Sequence, residues 1–172
     1  MTTQALQESE FHPYYATYIT QVDPASELLD ALKAGAEKTE AFYQNLPEEK
    51  QEYRYAEGKW TCKEVLQHLI DTERIFLYRA FRISRGDQTP LAGFDQNDYI
   101  PTSQANQKSM TALLEEYRTT RDFTLSVLES LATADLGRMG SVDGNPVSAR
   151  AAAFIIAGHE IWHNKIIEER YL

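Results

Sequence analysis

Four stretches of this chain repeat apolar residues every three to four positions, and the second and third are separated by the 21 residues GDQTPLAGFDQNDYIPTSQAN, 86–106. Apolar stripes of that period are buried by packing against one another, so the pattern predicts packed helices, and no stretch alternates convincingly enough to predict a strand. The first segment follows Asp23-Pro24, an N-cap residue with proline at the first helical position, and carries Leu28, Leu29, Leu32, Ala36, Thr39, Phe42, Tyr43 and Leu46 before Pro47 closes it. The second opens on the capping box Thr61-Cys62-Lys63-Glu64, carries Val65, His68, Leu69, Thr72, Ile75, Phe76, Arg79 and Ile83, and stops at Gly86. The third runs from about Gln107 to Leu131 and the fourth from about Ser148 to Glu168. Four such helices make an all-α four-helix bundle the expected fold. With 172 residues the chain reads as one domain, with residues 1–22 as an N-terminal arm.

At about 3.3 Å per extended residue, the long linker can reach past the length of a helix. Helices two and three can then run parallel, giving the order up-down-down-up. A long loop in an alternating bundle would have the same length, so the linker leaves both topologies open. The histidines choose between them. His159 and His163, in GHEIWH (158–163), stand at i and i+4 on the apolar face of the fourth helix, and His68 points inward on the second. At 1.5 Å per residue His68 lies roughly 10 Å into helix two, and the pair lies roughly 8–14 Å from the far end of helix four. The three come level when helices two and four are antiparallel, as in up-down-down-up. In the alternating bundle His68 falls several ångströms short.

Three inward imidazoles in place of core side chains predict a metal site on His68, His159 and His163 with a coordination position left for water or substrate. Imidazole ligands suit Zn, Ni, Cu or Fe, and such an ion lowers the pKa of a water or thiol toward neutrality. The string H-E-x-x-H also belongs to zinc proteases, but their third ligand lies downstream on the chain, and only nine residues follow His163. The positions that an extended protease motif needs as Gly and His are Ile166 and Glu169 here. Glu160 is turned about 100° from His159 around the helix, which predicts a solvated glutamate or one that supports a ligand from behind.

Several other residues fall near the predicted site. Asp71, one turn from His68, is a candidate to orient its imidazole or to join an ion pair. Arg79 shares the His68 stripe three turns on, where an inward arginine is expected to pair with a carboxylate rather than to meet substrate; Arg82 and Arg85 read as solvated or dimer-facing. The second half of the crossover must return toward the histidines, which makes Trp60, Asp98, Tyr99 and Tyr171 candidate pocket walls. His12 reads as a packed or exposed tail residue, and Cys62, in the first turn of helix two, as a small buried one.

Composition narrows the partners. The formal net charge of −9 without a basic stripe disfavours nucleic acid as a partner. No apolar run approaches the roughly 20 residues of a membrane span. The N-terminus lacks the basic and apolar regions of a signal peptide, and a single cysteine fits a reducing cytoplasm.

Three stretches carry a resemblance: KWTCKEVLQHLIDTERIFLYRAFRISRGD (59–87), TPLAGFDQNDY (89–99) and GHEIWHNKIIEERYL (158–172). Together they resemble the DinB-like superfamily of small bacterial four-helix metalloproteins, which includes thiol-dependent S-transferases and maleylpyruvate isomerase-like enzymes. The resemblance implies an up-down-down-up bundle and a divalent metal, often nickel or zinc, on His68, His159 and His163. It also implies homodimers, and activation of a low-molecular-weight thiol or water against a small electrophilic substrate. The alternative is a metal-binding or stress-associated bundle without turnover.

Overall fold

The computed structural model describes every residue from Met1 to Leu172. In chain order its helices are α1 (Ala16–Ile19), α2 (Leu28–Gln44), α3 (Glu48–Gln51), α4 (Cys62–Ser84), α5 (Gln96–Ser103), α6 (Met110–Glu129), α7 (Thr133–Leu136) and α8 (Ala149–Arg170). A hairpin, β1 (Met139–Val142) with β2 (Asn145–Ser148), precedes α8. The long helices α2, α4, α6 and α8 form the bundle.

Side-chain pairings fix their directions. Tyr171 donates to the Trp60 carbonyl at 2.8 Å, His68 meets His159, and Phe76 and Ile155 line one cavity, so α4 and α8 are antiparallel. Gln67 reaches Glu116 and Glu73 reaches Arg121, so α4 and α6 are parallel. Lys33 pairs with Glu129 and Glu40 with Arg118, so α2 and α6 are antiparallel. The order is the expected up-down-down-up. The crossover runs back along α4: Asn106, near its end, bonds Thr61 and Glu64 at the α4 N-terminus. The capping box there forms as read, with Thr61 accepting from the Glu64 N–H and Glu64 from the Thr61 N–H.

Helix α8 is the bundle's inner member. Every residue from Ala151 to Glu160 is buried, because α2 and α4, the short α1 and β2 cover it on several sides. That is why AAAFIIAG reads as a nearly continuous apolar run rather than a stripe.

Two expectations need correction. Asp23-Pro24 does not start a helix; Asp23 accepts hydrogen bonds from the N–H groups of Ala25 and Ser26 in a turn, and α2 begins at Leu28. The all-helical reading also missed the hairpin. Its turn is Asp143-Gly144, with φ of 50° and 76°, the left-handed pair that a tight two-residue hairpin requires. Leu91 of the crossover bonds Ser141 and Asp143, which ties the linker to this hairpin beside the site.

Candidate metal centre

The bundle brings His68, His159 and His163 together, with one ring nitrogen from each lying within 4.8 Å of the others. The Nε2 atoms of His68 and His159 are 3.0 Å apart, and the Thr72 hydroxyl lies 3.3 Å from His68 Nδ1. A tetrahedral ion with bonds of 2.0–2.1 Å needs ligand nitrogens roughly 3.3 Å apart. The donor set therefore fits a divalent ion after adjustments of at most about an ångström or two. No carboxylate touches the three rings.

All three side chains are buried. Burial pushes the His68 imidazole down to about 4. Burial and the neighbouring histidines hold His159 well below its usual value, and burial with His68 does the same for His163. Neutral imidazole is the form that binds a metal, so near pH 7 the cluster presents three lone-pair donors.

Each imidazole has an aromatic neighbour: Trp60 at 4.7 Å from His68, Tyr18 at 5.0 Å from His159 and Trp162 at 4.7 Å from His163, between ring centroids. Tyr18 comes from the N-terminal arm. It can reach His159 because α1 lies directly on Gly158, where any Cβ would collide with the Tyr18 carbonyl. Its hydroxyl shares a 3.0 Å hydrogen bond with that of Tyr14, and burial raises its pKa. Two cavities reach the cluster. One of about 340 Å³ opens at His159 between the arm, α4 and the hairpin; another of about 280 Å³ opens at His163 below Trp60 and Trp162.

The DinB superfamily profile matches residues 31–167, most of the chain. The chain belongs to the DinB superfamily. Among solved structures, this DinB-superfamily bundle is similar to YfiT from Bacillus subtilis, described as a probable metal-dependent hydrolase with an unusual four-helix bundle topology. The TM-score is 0.68 at 16% identity, covering 96% of this chain and 91% of YfiT. It is also similar to the DinB-like protein YjoA from Bacillus subtilis (TM-score 0.60, 19% identity, 84% of this chain and 88% of that one). The mycothiol-dependent maleylpyruvate isomerase superposes at a TM-score of 0.67 with 14% identity, over 90% of this chain and 63% of that longer chain. These likenesses establish the shared fold. No curated protein matches the chain.

The remaining candidates separate. Trp60 and Tyr171 line the cavity at His163, whereas Asp98 is exposed and outside it, and Tyr99 faces a groove with Arg79 and Phe94. Gln96 and Asn97 stand where Asp98 and Tyr99 were expected. Asp71 accepts from Gln67 and Arg74 and does not touch His68; Thr72, the next residue, does. Glu160 is neither solvated nor directed at the imidazoles. It is 2% exposed and bonds Arg121 and Tyr117 on another side of α8. Cys62 is buried, and burial raises its thiol to about 11. His12 accepts from the Tyr14 N–H at the outer edge of the larger cavity. Arg79 is 3% exposed and lacks the expected carboxylate partner. Among the aromatic wall residues, the sequence reading missed Tyr14, Tyr15 and Tyr18. Their signal was the tyrosine run in HPYYATYI together with a glycine inside the apolar fourth helix.

Proposed function

We propose that this chain is a metal-dependent enzyme in which His68, His159 and His163 hold one divalent ion, zinc or nickel, beside a substrate cavity. The observation that carries the reading is the cluster itself: three buried, neutral imidazoles that converge without any carboxylate and border two cavities. An ion bound there supplies a nucleophile near neutral pH by lowering the pKa of water or of a low-molecular-weight thiol.

The chain's own residues prepare the site. Thr72 fixes the His68 ring, and Trp60, Tyr18 and Trp162 hold the imidazoles and exclude bulk water. The Tyr18 hydroxyl, kept protonated by burial and paired with Tyr14, holds a proton at the wall of both cavities. The reaction class is transfer of a thiol to a small electrophile, or hydrolysis of one. A single buried cysteine supports a cytoplasmic setting. The exposed apolar face of Tyr78, Phe81 and Phe123 supports pairing with a second copy.

The test is elemental analysis of untagged protein beside His68→Ala and His163→Ala. About one equivalent of zinc or nickel is expected in the wild type and none in the variants. Wild-type protein that neither contains nor takes up metal would overturn the reading. Metal that binds without turnover of electrophiles, with either water or thiols, would favour a non-catalytic metal-binding bundle.

A further inference from the structure

Two arginines are almost wholly buried, and they differ in what they hold. Arg121 is bonded to two carboxylates and a backbone carbonyl. Arg79 is 3% exposed, donates to the Ala92 carbonyl at 3.0 Å, and forms no ion pair. Its guanidinium packs over the Phe76 ring at 4.7 Å and the Phe94 ring at 5.5 Å. Burial lowers its pKa, and the neighbouring Tyr15 phenol offsets part of that. Arg79 lines the larger cavity, whose wall also includes His159. A desolvated guanidinium without a carboxylate partner is a recognition element for an anion.

The placement sets a length. Arg79 is eleven residues beyond His68 on the same stripe of α4. That is roughly 16 Å along the axis, and a side chain that leans back over Phe76 leaves roughly 10 Å to the imidazoles. Thr72, Phe76 and Tyr15 line the space between. Asp143, on the exposed hairpin tip, borders the same cavity and disfavours a dianion more than a monoanion.

We infer that the substrate is a carboxylate whose charged end pairs with Arg79 and whose reacting end lies roughly 10 Å away at the three histidines, its apolar middle resting on Phe76 and Tyr15. The inference rests on the proposed function for its reacting end only; the anion site stands on Arg79 and the cavity.

The test compares binding of phenylbutyrate and its neutral isostere phenylbutyramide by calorimetry. The proteins are metal-loaded wild type, Arg79→Gln, Arg79→Lys, Asp143→Asn and His163→Ala. The wild type is expected to prefer the carboxylate by about tenfold or more. Arg79→Gln loses the preference with amide affinity unchanged. Arg79→Lys keeps part of it, which separates lost charge from lost packing. Asp143→Asn strengthens carboxylate binding by a few fold. Neither probe requires a metal, so His163→Ala retains the preference even where metal uptake has failed and the proposed function with it. Equal affinity for both probes in wild type, a preference that survives Arg79→Gln, or no binding of phenylbutyrate at millimolar concentration would each overturn the anion site.

Discussion

Two groups of polar side chains are buried against α8, and adjacent residues of one short string feed both. Glu160 belongs to the first, with Arg121, Glu73 and Tyr117. Arg121 gives five hydrogen bonds: two to Glu73 at 2.9 Å, one to the Leu32 carbonyl at 2.6 Å and two to Glu160 at 3.1 and 3.3 Å. The Tyr117 hydroxyl also donates to Glu160. Burial alone would lower the Arg121 pKa, but the carboxylates of Glu160 and Glu73 hold it above the ordinary value. This group is complete within the chain. His159 and His163 belong to the second, with His68. There the rings share one hydrogen bond, Thr72 takes one further nitrogen, and no charged partner is present. The complete group locks the bundle together, whereas the incomplete one has donor capacity left for something from outside. H-E-x-x-H thus divides by azimuth on one helix, glutamate to the frame and histidines to the site.

The sharpest way to break this contrast is Arg121→Leu. It leaves two carboxylates buried without a cation, and such a loss costs about 3–5 kcal/mol. Urea denaturation at neutral pH should show it; a loss under about 1 kcal/mol would mean that water already screens the group, and the contrast would fall. Acid acts on the other group. In metal-free protein the His68 pKa is about 4 against 6.5 unfolded. Its folded value is depressed, so the unfolded chain binds the proton first. Stability is then full above pH 6.5 and is lost as the pH falls toward 4, by about 3 kcal/mol from this ring. His159 and His163 shift in the same direction. Denaturation midpoints of metal-free protein across that range should fall steadily, and a flat profile would show that the rings stay accessible to protons in the fold.

The incomplete group was the more legible of the two. Histidine spacing on an apolar stripe is a local signal, and linker length with helix depth turned it into a topology. The complete group is formed by residues whose partners lie on three different helices, and nothing in GHEIWH says that Glu160 meets Arg121. Yet Arg121 occupies the stripe position between Tyr117 and Thr124 that the helical period requires, so its inward placement could have been read. The hairpin was obscured because its strands are four residues each, too short to show alternation around Asp143-Gly144. The arm's docking depends on one absent Cβ, at Gly158. A glycine inside a long apolar helix signals close backbone approach without naming the segment that approaches.

Two milder substitutions sharpen the division. Glu160→Gln keeps the shape and removes one charge from the complete group. It should cost about 1–3 kcal/mol in urea denaturation. Metal stoichiometry should be unchanged, whereas a glutamate acting at the metal would leave stability alone and disturb the site. The smallest effect on the metal-free fold belongs to His68→Leu. It replaces a sparsely bonded buried ring with an apolar side chain, so metal-free stability should move by no more than about 1 kcal/mol. The added metal tells the rest. Wild-type protein with free metal at about a hundred times its dissociation constant should gain about 2.7 kcal/mol, because the ion binds the folded state. His68→Leu should gain far less. If the leucine variant collapses without metal, the imidazoles are core residues in their own right. The two buried groups would then be the same kind of object after all.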